Sequence, residues 1–248
     1  MKSLIIAFST YSRIPMPKIT WDEESMKYSM CFFPFVGGVI GLCCYGIYTG
    51  LSVLEAGNIL ISAILTVLPV LLTGGIHVDG FLDTMDAKNS YRSKEEKLEI
   101  LKDPHIGAFA LIYGIVYFLL YFGLFSEMNQ KAIALVALGY AYSRVLSGLS
   151  VVLFQKAKRE GMAASTARAS EKNVRWILVV EGVFCAAGFL LLHPLAGAGC
   201  VAAGVLCFLY YRNMAYRIFG GITGDLAGYF LQLCELWILL TAILLTHY

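Results

Sequence analysis

Long blocks of apolar residues dominate this chain, and they restrict it to folds that a membrane can hold. A helix of about 18 or more apolar residues is long enough to cross roughly 30 Å of hydrocarbon. Only 15% of the 248 residues are charged, whereas a soluble domain carries about 25%. So little charged surface cannot cover a water-soluble globule of this size. We therefore predict an all-α, polytopic transmembrane helical bundle, forming a single integral membrane domain over residues 1–248.

The apolar blocks predict about seven spanning helices, joined by tight turns on one side and long loops on the other. The predicted spans are residues 30–54, 58–73, 107–126, 132–154, 176–192, 195–211 and 227–246. The fifth and sixth are near the short limit, so one re-entrant hairpin over 176–211 is the alternative. Residues 4–11 are too short to span, and we expect them at the interface or dipping into the bundle.

Basic residues are concentrated on one side of the predicted bundle. If the spans alternate in direction, one face holds residues 1–29, 74–106, 155–175 and 212–226, with 17 of the 19 Lys and Arg residues. Because cytoplasmic loops retain Lys and Arg, this face is predicted to be cytoplasmic. The chain would then be a multi-pass protein of the cytoplasmic (inner) membrane, with its active-site loops and amino terminus inside. The net charge of +2 gives no reason to expect nucleic acid as a partner.

The densest group of polar residues follows the second predicted span. Asp79, Asp83 and Asp86 stand at positions i, i+4 and i+7, which share one face of a helix. Mg²⁺ binds carboxylate oxygens and bridges to substrate phosphates, so this stripe is a candidate Mg²⁺ site. His77, two residues before the stripe, is a candidate proton carrier or phosphate contact. An ordinary solvated acidic helix is the alternative, but the apolar residues between the aspartates disfavour it.

Further candidate residues are spread along the chain. Arg144 lies within a predicted span, where a charge is costly, so we expect a carboxylate partner or an anionic ligand for it. Glu235 also lies in apolar sequence and is predicted to face a polar cavity. Thr223 and Asp225 follow a glycine-rich turn, where capping of the last helix is the alternative to a functional role. The remaining candidates for contact with an anionic substrate are Arg13, Arg92, Lys102 and Asp103.

In this order, these segments resemble the cobalamin synthase family, the adenosylcobinamide-GDP ribazoletransferases. The segments that carry the resemblance are residues 12–17, 74–80 with Asp83 and Asp86, 98–103 with Gly107, and 220–225 with Glu235. The resemblance covers essentially the whole chain. The chain departs from the family pattern at Ala87, at Pro104 and His105, and at Ile222, all of which leave the carboxylates in place.

The resemblance implies the last assembly step of the cobalamin nucleotide loop. A hydroxyl of α-ribazole, or of α-ribazole-5′-phosphate, attacks the cobinamide-side phosphorus of adenosylcobinamide-GDP, and GMP leaves. It implies Mg²⁺ as the metal, with Asp79, Asp83 and Asp86 holding it and one of them or His77 accepting the proton. The residues implied to contact the substrates or complete the metal shell are Arg13, Arg92, Lys102, Asp103, Arg144, Thr223, Asp225 and Glu235.

Two other functions compete with this interpretation. A CDP-alcohol phosphotransferase-like enzyme needs an Asp-Gly-x-x-Ala-Arg signature, but here Asp79-Gly80 is followed by Phe81, Leu82 and Asp83. A small-solute or metal transporter needs polar residues on both sides of the membrane, whereas the outer turns here are short and bare. Membrane lipid is expected around the bundle, and the apolar faces that short-looped helices leave free suggest a homodimer.

Overall fold

The computed structural model describes residues 1–158 and 160–247, and this part of the chain is helical and contains no β-strand. The all-α prediction is confirmed. The helices are α1 Lys2–Tyr11, α2 Glu23–Met26, α3 Phe33–Val53, α4 Asn58–Thr73, α5 Ile76–Asn89, α6 Lys94–Ile100, α7 Ala108–Ser126, α8 Gln130–Leu153, α9 Met162–Ala169, α10 Val174–Leu192, α11 Pro194–Phe219 and α12 Gly224–Thr246. A 3₁₀ turn, Ser29–Phe32, leads into α3.

Six helices in the described residues are long and apolar enough to cross a membrane, and a bent pair of helices brings the number to seven. The six include α3, α7, α8, α10, α11 and α12. The pair consists of α4 and α5, which meet at 95°. We take α4 as the arm that crosses and α5, with its three aspartates, as an arm outside the spanning segments. The prediction of about seven spans is thus confirmed.

The segment 176–211 forms two separate helices, α10 and α11, each long enough to cross on its own. The alternative of a single re-entrant hairpin is therefore not the arrangement found. Helix α11 continues to Phe219, eight residues past its predicted end. Arg212 lies on this extension, with its guanidinium 4.9 Å from the ring centre of Tyr216 and 5.8 Å from that of Phe154. Aromatic neighbours let a cationic residue continue the helix at the edge of the apolar region.

Helix α8 lies at the centre of the bundle, packed against α3, α10 and α12. Its contact with α3 depends on small residues. A Cβ atom added at Gly37 would lie 2.2 Å from the Tyr140 carbonyl oxygen, and one at Gly41 would lie 2.0 Å from that of Ala137. Glycine at both positions lets the two backbones approach, as is common between membrane helices.

A buried ion pair joins α8 to α12. Arg144 is 1% exposed, and its Nη1 donates to Glu235 Oε1 at 2.6 Å and to the Tyr140 carbonyl at 2.8 Å. The hydroxyl of Ser143 donates to the same Glu235 oxygen at 3.2 Å. The expected carboxylate partner of Arg144 is thereby confirmed, and Glu235 lies inside the bundle, as predicted.

The polar connecting segments meet at one end of the bundle. Lys27 forms an ion pair with Glu171 at 3.2 Å, and the Lys158 ammonium donates to the Leu98 carbonyl at 2.8 Å. At the other end the contacts are those of short turns, such as the bond from Asn129 to Thr246 at 3.0 Å. Helix α1 is tucked into the bundle through its buried residues Ile6, Ala7 and Phe8. The site described next lies at the end with the polar segments.

Candidate active site at the crossing of α5 and α12

Two consecutive glycines redirect the chain from α4 into α5. Gly74 has φ +67° and Gly75 has φ +81°, conformations that residues with a Cβ atom rarely adopt. The backbone N–H of Arg13 donates to the Leu72 carbonyl at 2.7 Å, and a Cβ atom on Gly74 would lie 2.4 Å from Arg13 Nε. The turn therefore seats Arg13 directly against the start of α5.

Glycines also let α5 cross α12 at close range. A Cβ atom on Gly80 would lie 2.7 Å from the Asp225 carbonyl oxygen and 2.8 Å from its Cα atom. A Cβ atom on Gly228 would lie 3.0 Å from the His77 carbonyl oxygen. This crossing brings Asp225, in the first turn of α12, to the acidic stripe of α5.

Three carboxylates, those of Asp79, Asp83 and Asp225, gather at this crossing. Asp79 is exposed, and the other two are partly buried. Burial, followed by the charges of Asp79, Asp225 and Asp86, raises the pKa of Asp83 to about 7. Burial is the larger cause and repulsion between the carboxylates adds to it, so a cation or cationic group bound here would stabilise the ionised form of Asp83.

Asp86, the third residue of the predicted stripe, has a different set of contacts. Its two carboxylate oxygens accept hydrogen bonds from the backbone N–H groups of Gly107, at 2.7 Å, and Ala110, at 2.9 Å. These amides lie at the start of α7, so Asp86 caps that helix from a neighbouring one. A Cβ atom on Gly107 would lie 2.5 Å from the carboxylate, so a side chain there would displace Asp86 from these amides. The proposed metal role of Asp86 remains a prediction.

The described residues contain no group of three or more His, Cys, Asp or Glu side chains close enough together to hold a metal ion. A complete protein cage is therefore not preformed in this part of the chain. Mg²⁺ is commonly bound through one or two carboxylates, with waters and substrate phosphates as the other ligands. Asp79, Asp83 and Asp225 supply the oxygen donors that such a site needs.

His77 lies beside these carboxylates and is buried, with 5% of its surface exposed. Its Nε2 atom has no hydrogen-bond partner. The ring is stacked against Tyr11, with centroids 6.3 Å apart, and burial followed by the charge of Arg144 lowers its pKa well below the ordinary value. His77, Asp79, Ser147 and Asp225 are among the residues lining a cavity of about 150 Å³.

Two further cavities flank this central one, and each contains cationic residues. A cavity of about 650 Å³ shares Asp79 with it and is lined by Arg13, Gly74 and Gly75. Another, of about 170 Å³, shares Asp225 and is lined by Lys102, Lys156 and Lys158. The carboxylates therefore lie between an arginine on one side and three lysines on the other.

The structure gathers some of the predicted site residues here and places others elsewhere. Arg92 is exposed and forms an ion pair with Glu96 at 3.5 Å, and Asp103 is exposed and bonds to His105. Thr223 caps α12 by accepting a bond from the Leu226 amide at 3.2 Å, the alternative role that the sequence suggested, and it also lines the lysine cavity. The substrate roles of these residues remain predictions, as do those of Arg144 and Glu235, which pair inside the bundle.

Sequence reasoning missed Lys156 and Lys158. They lie in the run Lys156-Ala157-Lys158, which counted only toward the charge of a loop. The loop is fixed by two backbone hydrogen bonds, from Ile222 to Gln155 and from Ala157 to Ile222, both 2.9 Å. The available signal was a pair of lysines at positions i and i+2 of a polar loop, because this spacing places both side chains on the same side of an extended segment.

Comparison with known proteins shows which family this chain belongs to. The family model described as cobalamin-5-phosphate synthase matches residues 3–243. A protein of Lachnoclostridium phytofermentans, named adenosylcobinamide-GDP ribazoletransferase, is 49% identical over 95% of this chain and 91% of its own length. Proteins of the same name from Clostridium perfringens and Desulfitobacterium hafniense are 32% and 33% identical, over 94% and 98% of this chain and 94% and 96% of their own lengths. No solved structure matches this fold. The chain belongs to the cobalamin-5-phosphate synthase family.

Proposed function

We propose that this protein joins α-ribazole, or α-ribazole-5′-phosphate, to adenosylcobinamide-GDP and releases GMP, which completes the cobalamin nucleotide loop. The family match over residues 3–243 and the shared name of the relatives support this proposal. Neither a CDP-alcohol phosphotransferase nor a transporter receives comparable support.

The observation that carries the proposal is that the central cavity shares Asp79 with one flanking cavity and Asp225 with the other. The substrate carries a diphosphate, and the reaction moves one phosphoryl group between two oxygens. In such reactions the protein acts mainly by positioning the groups and by neutralising charge. Arg13 lines one flanking cavity and supplies positive charge to the diphosphate, the lysines line the other, and the carboxylates lie between the two cavities.

His77 is the group that we propose to accept the proton of the attacking hydroxyl. His77 lines the central cavity together with Asp79 and Asp225, and its buried Nε2 has no hydrogen-bond partner. As the ribazole oxygen bonds to the cobinamide-side phosphorus, that phosphorus loses its bond to the oxygen bridging it to GMP. GMP leaves with the bridging oxygen, and the hydroxyl proton passes to the imidazole, as in general-base catalysis.

We propose Mg²⁺ as the cofactor, held by one or two of the carboxylates of Asp79, Asp83 and Asp225, with waters and substrate phosphates as the other ligands. Burial, followed by the negative charges of its neighbours, raises the pKa of Asp83, and a divalent cation would stabilise its ionised form. When bound, Mg²⁺ would neutralise phosphate charge during transfer. Arg13 would orient the diphosphate, and the burial of His77 keeps bulk water from its ring.

We further propose that the site faces the cytoplasm. The segments that the sequence predicts on the side that carries it hold 17 of the 19 Lys and Arg residues, and such loops stay on the cytoplasmic side. Both substrates are bulky, charged molecules that a cytoplasmic face can meet directly. A homodimer is proposed because α7 and α10 leave most of their apolar side chains exposed on the surface of the bundle.

A turnover assay on detergent-purified protein tests the proposal. Adenosylcobinamide-GDP, α-ribazole-5′-phosphate and Mg²⁺ are supplied, and GMP and the corrinoid product are followed. We expect product that EDTA abolishes, and we expect Asp83→Ala and His77→Gln to lower the rate by at least about 100-fold, the lower end of the range that one acid–base or charge-stabilising group supplies. The matched control is Glu95→Ala on exposed α6. Folded protein that makes no product would refute the proposed reaction.

A further inference from the structure

The cavity lined by Lys102, Lys156 and Lys158 adjoins the central one, because the two share Met162, Ala163, Gly224 and Asp225. Its three lysines come from two segments, the end of α6 and the loop after α8. The loop lysines are held in place, because the Lys158 ammonium donates to the Leu98 carbonyl at 2.8 Å and the Lys156 ammonium donates to the Phe154 carbonyl. Lys102 forms an ion pair with Glu99 at 2.6 Å. Each of the three lysines is therefore held by a contact with the protein around it.

The two loop lysines of this cavity are partly buried and bond to backbone carbonyls rather than to a carboxylate. Burial, followed by the charge of Lys102, lowers the pKa of Lys158, and burial lowers that of Lys156. Asp225 and Glu160 also line the cavity, and Glu99 pairs with Lys102. Holding like charges close together and partly out of water is costly, and an anion would offset that cost.

The first turn of α9 adds further donors to the same wall. Gly161 is the residue before the helix, and Met162, Ala163 and Ala164 are its first three residues, and all four line the cavity. This helix start has no side-chain cap and no acidic residue in its first turn. Backbone N–H groups at such a start, together with the helix dipole, attract anions.

The volume of the cavity, about 170 Å³, limits what can enter it. Cavities that enclose a drug-sized ligand measure about 300–1,000 Å³, so a nucleoside or a corrin ring does not fit, whereas a single phosphate group does. We propose that Lys102, Lys156 and Lys158, with the start of α9, bind a phosphate monoester. This rests on the proposed function, in which two such groups occur: the 5′-phosphate of α-ribazole-5′-phosphate and the phosphate of the GMP that leaves.

Steady-state kinetics with both acceptors separate the two sources. Lys156→Met and Lys158→Met each remove one positive charge, whereas Lys156→Arg keeps the charge. Lys94 is exposed on α6, so Lys94→Met is the matched control. If the site binds the acceptor, KM for α-ribazole-5′-phosphate rises about tenfold or more in the Met variants, as expected for one lost charge-assisted hydrogen bond. KM for unphosphorylated α-ribazole then stays unchanged. If the site binds GMP, the inhibition constant for GMP rises by a similar factor with either acceptor.

A binding experiment needs no turnover and so separates this inference from the proposed reaction. The intact wild-type protein is treated with a lysine-acetylating reagent, with and without α-ribazole-5′-phosphate, GMP or inorganic phosphate, and the lysines are quantified by mass spectrometry. We expect at least one phosphate compound to protect Lys156 and Lys158 and none to protect Lys94. Wild-type protein that makes no product but shows this protection would refute the reaction and keep the site. Unchanged KM and GMP inhibition in the Met variants, with no protection, would overturn the phosphate site.

Discussion

The crossing of α5 and α12 at Gly80 allows a quantitative prediction. In Gly80→Ala, the new Cβ atom would lie 2.7 Å from the carbonyl oxygen of Asp225, whereas ordinary contact begins at 3.4 Å. The obstacle is backbone rather than a flexible side chain, so the two helices must separate by about 0.7 Å. Overpacking of this kind costs about 1–3 kcal/mol of stability. Because the movement shifts Asp79 and Asp83 relative to Asp225, turnover should fall by about 10- to 100-fold, in keeping with the sensitivity of catalysis to misplacement on the order of 1 Å.

The matched control is Gly38→Ala on α3, where an added Cβ atom meets nothing within 4 Å. Alanine is a better helix former than glycine by roughly 0.5–1 kcal/mol, so this variant should be as stable as the wild type or slightly more so. Both variants are purified in detergent, and kcat, KM and the thermal unfolding midpoint are compared. If Gly80→Ala retains full kcat while Gly38→Ala behaves as expected, close contact at the crossing is not what aligns the carboxylates, and the proposed geometry is refuted.

Three further predictions concern parts of the fold that support the site. Asp86→Ala should lower the free energy of unfolding by about 0.5–2 kcal/mol, because it uncaps α7, whereas Asp83→Ala should leave it unchanged. A loss of Mg²⁺-dependent turnover in Asp86→Ala without a loss of stability would instead assign Asp86 to the metal. Arg144→Met should lower the free energy of unfolding by about 3–5 kcal/mol because it leaves Glu235 buried and unpaired, whereas the double variant Arg144→Met with Glu235→Leu should recover most of that loss. Unfolding by denaturant in mixed micelles measures both variants, and equal losses would contradict the ion-pair argument. A periplasmic reporter enzyme fused to the carboxyl terminus should be active and a cytoplasmic reporter inactive, since seven spans put that end outside; the reverse result would invert the proposed orientation.

The spans and the acidic stripe were predictable because they depend on local sequence. An apolar block long enough to cross a bilayer can hardly do anything else, so the predicted segment 58–73 has the bounds of α4, Asn58–Thr73. The helical spacing of Asp79 and Asp83 likewise fixes their common face without knowledge of any other helix. The same reasoning gave Arg144 a carboxylate partner, because an unpaired charge at that depth is too costly.

Contacts between distant segments were not predictable in the same way. Periodicity places Asp86 on the same face as Asp83, but it does not show that the amides of Gly107 and Ala110 approach that carboxylate. Nor does it show that Gly80 and Gly228 lie at one crossing. These are properties of pairs of helices, and a single sequence gives only the face that each helix offers. The extension of α11 to Phe219 was missed because Arg212 was taken as the end of an apolar block, although aromatic neighbours accommodate it.

The distance along α12 separates the role of Glu235 from that of Asp225. Their positions differ by ten residues, which at 1.5 Å per residue is about 15 Å of helix. Mg²⁺ binds its oxygen ligands at about 2.0–2.1 Å, so the two carboxylates cannot share one ion. Glu235 instead fixes α12 against Arg144 of α8, while Gly80 and Gly228 fix its start against α5. Two contacts about three turns apart define both the position and the direction of α12, and therefore where Asp225 meets Asp79. Glu235 thus acts as a positioning residue, and its removal should disturb the site through the helix rather than through the substrate.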